Sequence, residues 1–174
     1  MCAFLHTPTV IVAGRMHMFM HAIAKITLFF CAGEILVTIR KTRISEINGI
    51  GLRMPWTMTA FAIAAISMIG IPPTAGFISK WYILLATIES QQLIALGVII
   101  ASTLLNTAYF MPIVYAAFYR KQTIGPVQTA DEPGAEAPLL VLLAIAVTAT
   151  GTVALFFFPD TVLELAMQTA GAGK

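Results

Sequence analysis

Cysteine and charge are both scarce in this sequence. It holds only two cysteines, Cys2 and Cys31, far apart and without metal-ligand spacing, so neither a disulfide framework nor a metal site is expected. Cys31 reads as a packing residue. Charged residues make up only 10% of the 174 and the formal net charge is +2, with no interleaving of basic and aromatic side chains, which sets nucleic acid aside as a partner. Glycine-rich dinucleotide fingerprints and cysteine clusters are missing, so no cofactor is expected: no NADH, flavin or iron–sulfur site. The first eight residues, Met1 to Pro8, lack a basic stretch followed by a long apolar core, so no cleavable signal peptide is expected. No internal repeat is visible.

What the sequence does have is apolar residues in membrane-length runs. It is 59% hydrophobic with a mean hydropathy of +0.88, far from the quarter of charged residues typical of a soluble domain. This is the composition of an integral membrane protein. A bilayer core of about 30 Å takes about 20 helical residues, and Met16–Ile39, Leu93–Tyr119 and Ala137–Phe158 each fit one crossing. The stretch from Trp56 to Ile88 has 33 residues, which as one straight helix would run to about 50 Å. Halved at Pro72-Pro73, its pieces are too short for two crossings.

Loop charges favour a single crossing. Arg40, Lys41, Arg43 and Arg53 then fall on the same side as Arg120 and Lys121, with Glu89, Asp160 and Glu164 opposite, and the positive-inside tendency makes the basic side cytoplasmic. The expected fold is an all-α polytopic membrane bundle with one discontinuous transmembrane helix. It forms a single membrane domain over residues 1–174, with helices at about 16–39, 56–88 broken at 71–76, 93–119 and 137–158. Thr123 to Pro138 is rich in Gly, Pro and acidic residues and reads as an extramembrane loop. The tail from Thr169 to Lys174 is expected to fray. A helical pattern already under way near Arg15 suggests that the chain is the C-terminal part of a larger protein.

The break has a backbone cause. Pro72 and Pro73 lack an N–H, Pro73 pushes Pro72 away from the α region, and Gly70 and Gly76 tolerate unusual dihedrals. Carbonyls left without helical partners inside a membrane must be paired by protein or water, and half-helix ends are a recurring way to build ion sites. Lys80 stands four residues after Gly76, about nine from Glu89 and 25 from Pro55, too deep for its ammonium to reach the headgroups easily. An ionisable group there marks an ion or proton path.

Lys25 lies ten residues into the first helix, with His21 four and His17 eight residues before it, so all three share one face. Such a stripe can relay protons, because imidazole titrates near neutrality and desolvation disfavours a charged amine. His17, near the expected helix start, reads first as an interfacial histidine. The two histidines have no carboxylate or thiolate near them in sequence, so no metal site is assigned. Glu34, nine residues beyond Lys25, falls on the opposite face about 13 Å along, which excludes a direct pair. Asn106, Thr107 and Tyr109 serve most simply in interhelical hydrogen bonds, with Asn106 and Tyr109 as further relay candidates. Pro112 is expected to kink its helix, with Thr103, Thr107 or water meeting the freed carbonyls. Trp56, Trp81, Tyr82, Tyr115 and Tyr119 read as interface anchors or packing residues.

Two motifs, His21-Ala-Ile-Ala-Lys25-Ile-Thr-Leu-Phe-Phe-Cys-Ala-Gly33 and Ile71-Pro-Pro-Thr-Ala-Gly-Phe-Ile-Ser-Lys80-Trp81, resemble those of the antiporter-like proton-conducting membrane subunits. That family includes the large membrane subunits of respiratory complex I and the Mrp-type cation/proton antiporters. Together with Asn48-Gly-Ile-Gly51, these runs resemble the D-type subunits of the Mrp branch most closely. The resemblance covers nearly the whole chain. It implies that His21 and Lys25 match the family's His-x-x-x-Lys motif and that Lys80 matches the lysine after the helix break.

By the same resemblance, the chain is a proton-translocating subunit of a multisubunit monovalent cation/proton antiporter. The alternative is a proton-pumping membrane subunit of NADH:quinone oxidoreductase or a related hydrogenase. Other membrane subunits, protons, Na+ or K+, and the lipid bilayer are the implied partners, in a bacterial inner (plasma) membrane. The family carries an earlier glutamate and lysine pair on two more N-terminal helices that this sequence lacks, so the fragment alone is not expected to transport.

Overall fold

The computed structural model describes residues 8–39, 48–120 and 136–170. Within them the chain is helical, with no strand. In order they form α1 (Pro8–Ile39), a single 3-10 turn (Ile50–Leu52), α2 (Pro55–Ile69), α3 (Ala75–Glu89), α4 (Leu93–Tyr119), α5 (Leu139–Phe157) and α6 (Asp160–Ala170). Three of them, over Thr9–Thr38, Leu93–Tyr119 and Leu139–Phe157, are long and apolar enough to cross a membrane. Helices α2 and α3 have 15 residues each, about 22 Å apiece, and succeed one another across the bundle as the two halves of a discontinuous helix.

Helix α1 is the centre of the bundle and packs against α2, α3, α5 and α6. It begins at Pro8, eight residues before the expected start at Met16. Proline suits the first helical position, where its missing N–H leaves no bond unmade, and the apolar run Thr9–Ala13 continues the span. As a result His17 lies more than two turns inside α1 instead of near its start. The buried face of α1 presents Met16, Met20, Ala24, Thr27 and Cys31 to its neighbours, so Cys31 is a packing residue in the main core with Met54, Met58 and Phe110.

Two connections fix which helix ends meet. At one end the Gly49 N–H donates to the Ala116 carbonyl at 2.9 Å, tying the entry to α2 to the last turns of α4. There too, the Glu136 carboxylate accepts from the Trp56 N–H at 2.9 Å and from the Thr57 hydroxyl at 3.1 Å, bringing the approach to α5 onto the start of α2. At the other end Val10 and Ala13 of α1 pack with Ala86, Tyr82 and Ile83 of α3. Arg53 and Arg120 thus fall at one end of the bundle, and Glu89 and Asp160 at the other.

After Phe158 the chain turns at Pro159 and forms α6, whose Val162 and Ala166 bury against Val12, Met16 and Met20 of α1. Asp160 occupies its first turn, where a carboxylate suits the helix dipole. Thr169, expected to fray, belongs to this helix and its hydroxyl donates to the Leu165 carbonyl at 2.9 Å. Most of the expected loop from Thr123 to Pro138, and the basic run Arg40, Lys41 and Arg43, lie outside the described residues. Trp56, Trp81, Tyr115 and Tyr119 are exposed, while Tyr82 is half-buried.

Candidate functional site

The helix break exposes two particular carbonyls, and the sequence says which. In an α-helix the carbonyls of Met68 and Ile69 would accept from the N–H groups four residues on, and those residues are Pro72 and Pro73, which have none. Gly70 closes α2 in the left-handed region at φ 88°, and the N–H groups of Gly70 and Ile71 both turn back to the Ile66 carbonyl. Lys80, one and a half turns into α3, reaches back across the gap. Its Nζ donates to the Met68 carbonyl at 3.0 Å, the Ile69 carbonyl at 2.9 Å and the Thr103 hydroxyl of α4 at 3.1 Å. Three acceptors match the three N–H bonds of an ammonium. Asn106 adds a donor to the same Met68 oxygen, from Nδ2 at 3.3 Å.

The start of α3 is held against the end of α2 by small residues. The Gly76 N–H donates to Ser67 Oγ at 3.1 Å, and Thr74 Oγ1 donates to the Ile71 carbonyl at 2.7 Å. A Cβ at position 76 would collide with the Ser67 carbonyl oxygen, so only glycine permits this approach. The interruption runs from Gly70 to Thr74, and Gly76 falls in the first turn of α3 rather than in the gap.

On the other side of Lys80, a groove of about 820 Å³ opens between α1, α3 and α4, lined by Arg15, His17, His21, Lys25, Lys80 and Ser102 among others. No Asp or Glu is among the described residues that line it. The His17 and His21 rings lie with centroids 5.3 Å apart, inclined at 36°. His17 Nδ1 sits 2.9 Å from Ser79 Oγ, which links the histidine stripe to the residue next to Lys80. Glu34 is buried on the opposite face of α1 and accepts from the Thr38 hydroxyl at 2.6 Å, away from this groove.

Lys25, Lys80, His21 and His17 therefore meet at one groove, and Asn106 joins the break through Met68. Tyr109 does not: it is 61% exposed, with its ring edge-on to Phe110 at 4.9 Å, and it lines neither feature. Thr103 supports Lys80, while Thr107 donates back to the Thr103 carbonyl at 2.8 Å. Arg15, Ser67 and Ser79 are site residues that spacing alone does not single out. The signal for Ser79 is its place beside Lys80, and Arg15 lies two residues before His17. No group of three or more His, Cys, Asp or Glu among the described residues could hold a metal ion.

A family model described as "NADH:quinone oxidoreductase/Mrp antiporter, TM" matches residues 1–106. The N subunit of the NADH-quinone oxidoreductase of Desulforudis audaxviator is 37% identical over 163 residues, 89% of this chain and 32% of that protein. The D subunit of the Na(+)/H(+) antiporter of Alkalihalophilus pseudofirmus is 28% identical over 166 residues, 95% of this chain and 33% of that protein. The chain thus spans about a third of the length of these relatives. A chain of the Mrp complex from Dietzia sp. DQ12-45-1b has the same fold, with a TM-score of 0.81 over 94% of this chain and 38% of that one, at 21% identity. With the family model matching more than half of its residues, the chain belongs to the NADH:quinone oxidoreductase/Mrp antiporter membrane family.

Proposed function

We propose that this chain supplies the C-terminal part of a proton-translocating membrane subunit in an Mrp-type monovalent cation/proton antiporter. The observation that carries the reading is the Lys80 ammonium, hydrogen-bonded to the two carbonyls of the helix break and lining the groove that also holds Lys25, His21 and His17. An ionisable residue inside a membrane bundle is costly unless it serves a path, and here it has both a built cradle and titratable neighbours.

In this reading Lys80 and Lys25 are the two stations, with His21 between Lys25 and the groove's histidine end at His17. Like charges that share a groove repel each other, and no carboxylate stands among its described lining to offset that repulsion. Protonation of one therefore drives release from the other. To release its proton, Lys80 must give up one of its three hydrogen bonds, so the positions of Met68, Ile69 and Thr103 set the ease of transfer. Asn106 steadies the shared Met68 oxygen. The end of the bundle bearing Arg53 and Arg120 faces the cytoplasm of a bacterial plasma membrane. Other membrane subunits complete the path, and Na+ or K+ is the exchanged cation.

The 37% identity to a protein named as an N subunit of NADH-quinone oxidoreductase favours a second reading, a proton-pumping subunit of such an oxidoreductase or of a related hydrogenase. Neighbouring genes separate the two: cysteine-rich redox subunits point to the oxidoreductase, and small membrane subunits alone point to the antiporter. The shared mechanism is tested in the full-length subunit within its complex, by proton and cation exchange in vesicles for Lys25→Ala and Lys80→Ala. Loss of exchange in both is expected; normal exchange in both overturns the assignment.

A further inference from the structure

Ser79 is fully buried and makes two contacts that together constrain a proton. Its Oγ lies 3.1 Å from the carbonyl oxygen of Gly76, three residues back on α3, and 2.9 Å from Nδ1 of His17 on α1. A hydroxyl has one proton to donate and lone pairs to accept with. If it donated to His17 Nδ1, the 3.1 Å contact with the Gly76 carbonyl would bring two oxygens together with no hydrogen between them. If it donates to Gly76, the His17 contact is satisfied only by a hydrogen on Nδ1. One arrangement makes both hydrogen bonds, and the other makes one bond and one repulsive contact.

We infer that Ser79 is a positioning residue that holds neutral His17 as its Nδ1–H tautomer, leaving Nε2 as the ring nitrogen that accepts protons in the groove. A histidine's second ring nitrogen commonly sets the tautomer in this way. Here the setting group stands beside Lys80 in the chain. The ionisable groups that share the groove with His17 are Arg15, His21 and Lys25 on its own helix and Lys80 on α3, all of them basic. None of these offers a carboxylate to capture the Nδ1 hydrogen from Ser79. The same serine thereby couples α1 to the broken helix, so that a shift of α3 alters both the Lys80 cradle and the His17 tautomer.

The inference rests on the proton-relay reading for its importance but not for its first test. In the full-length subunit in lipid, with histidine labelled by 15N and His17 assigned by comparison with His17→Asn, the neutral His17 signal is expected to show Nδ1 protonated and Nε2 bare. An Nε2–H tautomer in the wild type overturns the inference whatever the transport assay gives. Ser79→Ala is expected to shift the population toward Nε2–H and to slow proton transport severalfold. An unchanged tautomer ratio in that variant also overturns it.

His17→Asn supplies the second arm. The asparagine amide can replace Nδ1–H as donor to Ser79 while removing the Nε2 acceptor. The variant is expected to assemble with wild-type thermal stability and to transport poorly; full transport would show that His17 serves packing alone and overturn the inference. If instead Lys25→Ala and Lys80→Ala transport normally, the relay reading fails, while the tautomer measurement still decides the role of Ser79.

Discussion

The ammonium of Lys80 lies 2.9 Å from the carbonyl oxygen of Ile69, the acceptor that Pro73 leaves without a helical donor. The charge and the broken backbone therefore solve each other's problem: the lysine gains acceptors, and the carbonyls of Met68 and Ile69 gain a donor. Lys80→Met keeps the length and apolar bulk but orphans the Ile69 carbonyl and leaves the Met68 carbonyl with Asn106 alone. It should lower stability by about 1–3 kcal/mol, the usual cost of a buried unsatisfied polar group, read as a fall in the thermal unfolding midpoint of the reconstituted subunit. An unchanged midpoint would mean that water replaces the ammonium freely.

Gly70 is constrained twice. Its φ of 88° lies where side chains are strained, and a Cβ there would come within 2.8 Å of Lys80 Cδ. Gly70→Ala is therefore expected to cost about 1–3 kcal/mol from backbone strain and to displace the Lys80 side chain as well. Transport should fall further than stability. The comparison is made by measuring both in the same preparation.

Gly76 tolerates nothing larger, because the obstructing atom is backbone. A Cβ overlapping the Ser67 carbonyl oxygen forces α2 and α3 apart, so Gly76→Ala should prevent assembly, seen as loss of the subunit from the membrane fraction. Gly97→Ala is the matched control. A Cβ at 97 meets nothing within 4 Å, and helix propensity predicts a gain of about 0.5–1 kcal/mol.

Glu136 caps the start of α2 from 80 residues away, accepting from the Trp56 N–H and the Thr57 hydroxyl. Glu136→Ala removes a capping acceptor at a helix N-terminus and is expected to cost about 1 kcal/mol. Glu136→Gln keeps one oxygen and should fall between. Thermal unfolding of the three proteins checks the order, and an alanine variant as stable as the wild type would remove Glu136 from this role.

Membrane class, the broken helix and the basic side chains His17, His21, Lys25 and Lys80 that line one groove are all legible in the amino-acid order. They follow from local chemistry: long apolar runs, prolines without N–H groups, and basic residues spaced four apart on one helix. The start of α1 is less legible because Gly14 and Arg15 interrupt its apolar pattern, although neither prevents a helix. Which groups meet is a matter of packing. Asn106 and Tyr109 are three residues apart, about 60° around the helix axis, and that rotation places one at the Met68 carbonyl and the other on the exposed face. Likewise the partners of Lys80 and His17 lie 11 to 62 residues away, on α2, α3 and α4. Side-chain facing of this kind is set by how helices pack, which no local pattern in a uniformly apolar sequence encodes.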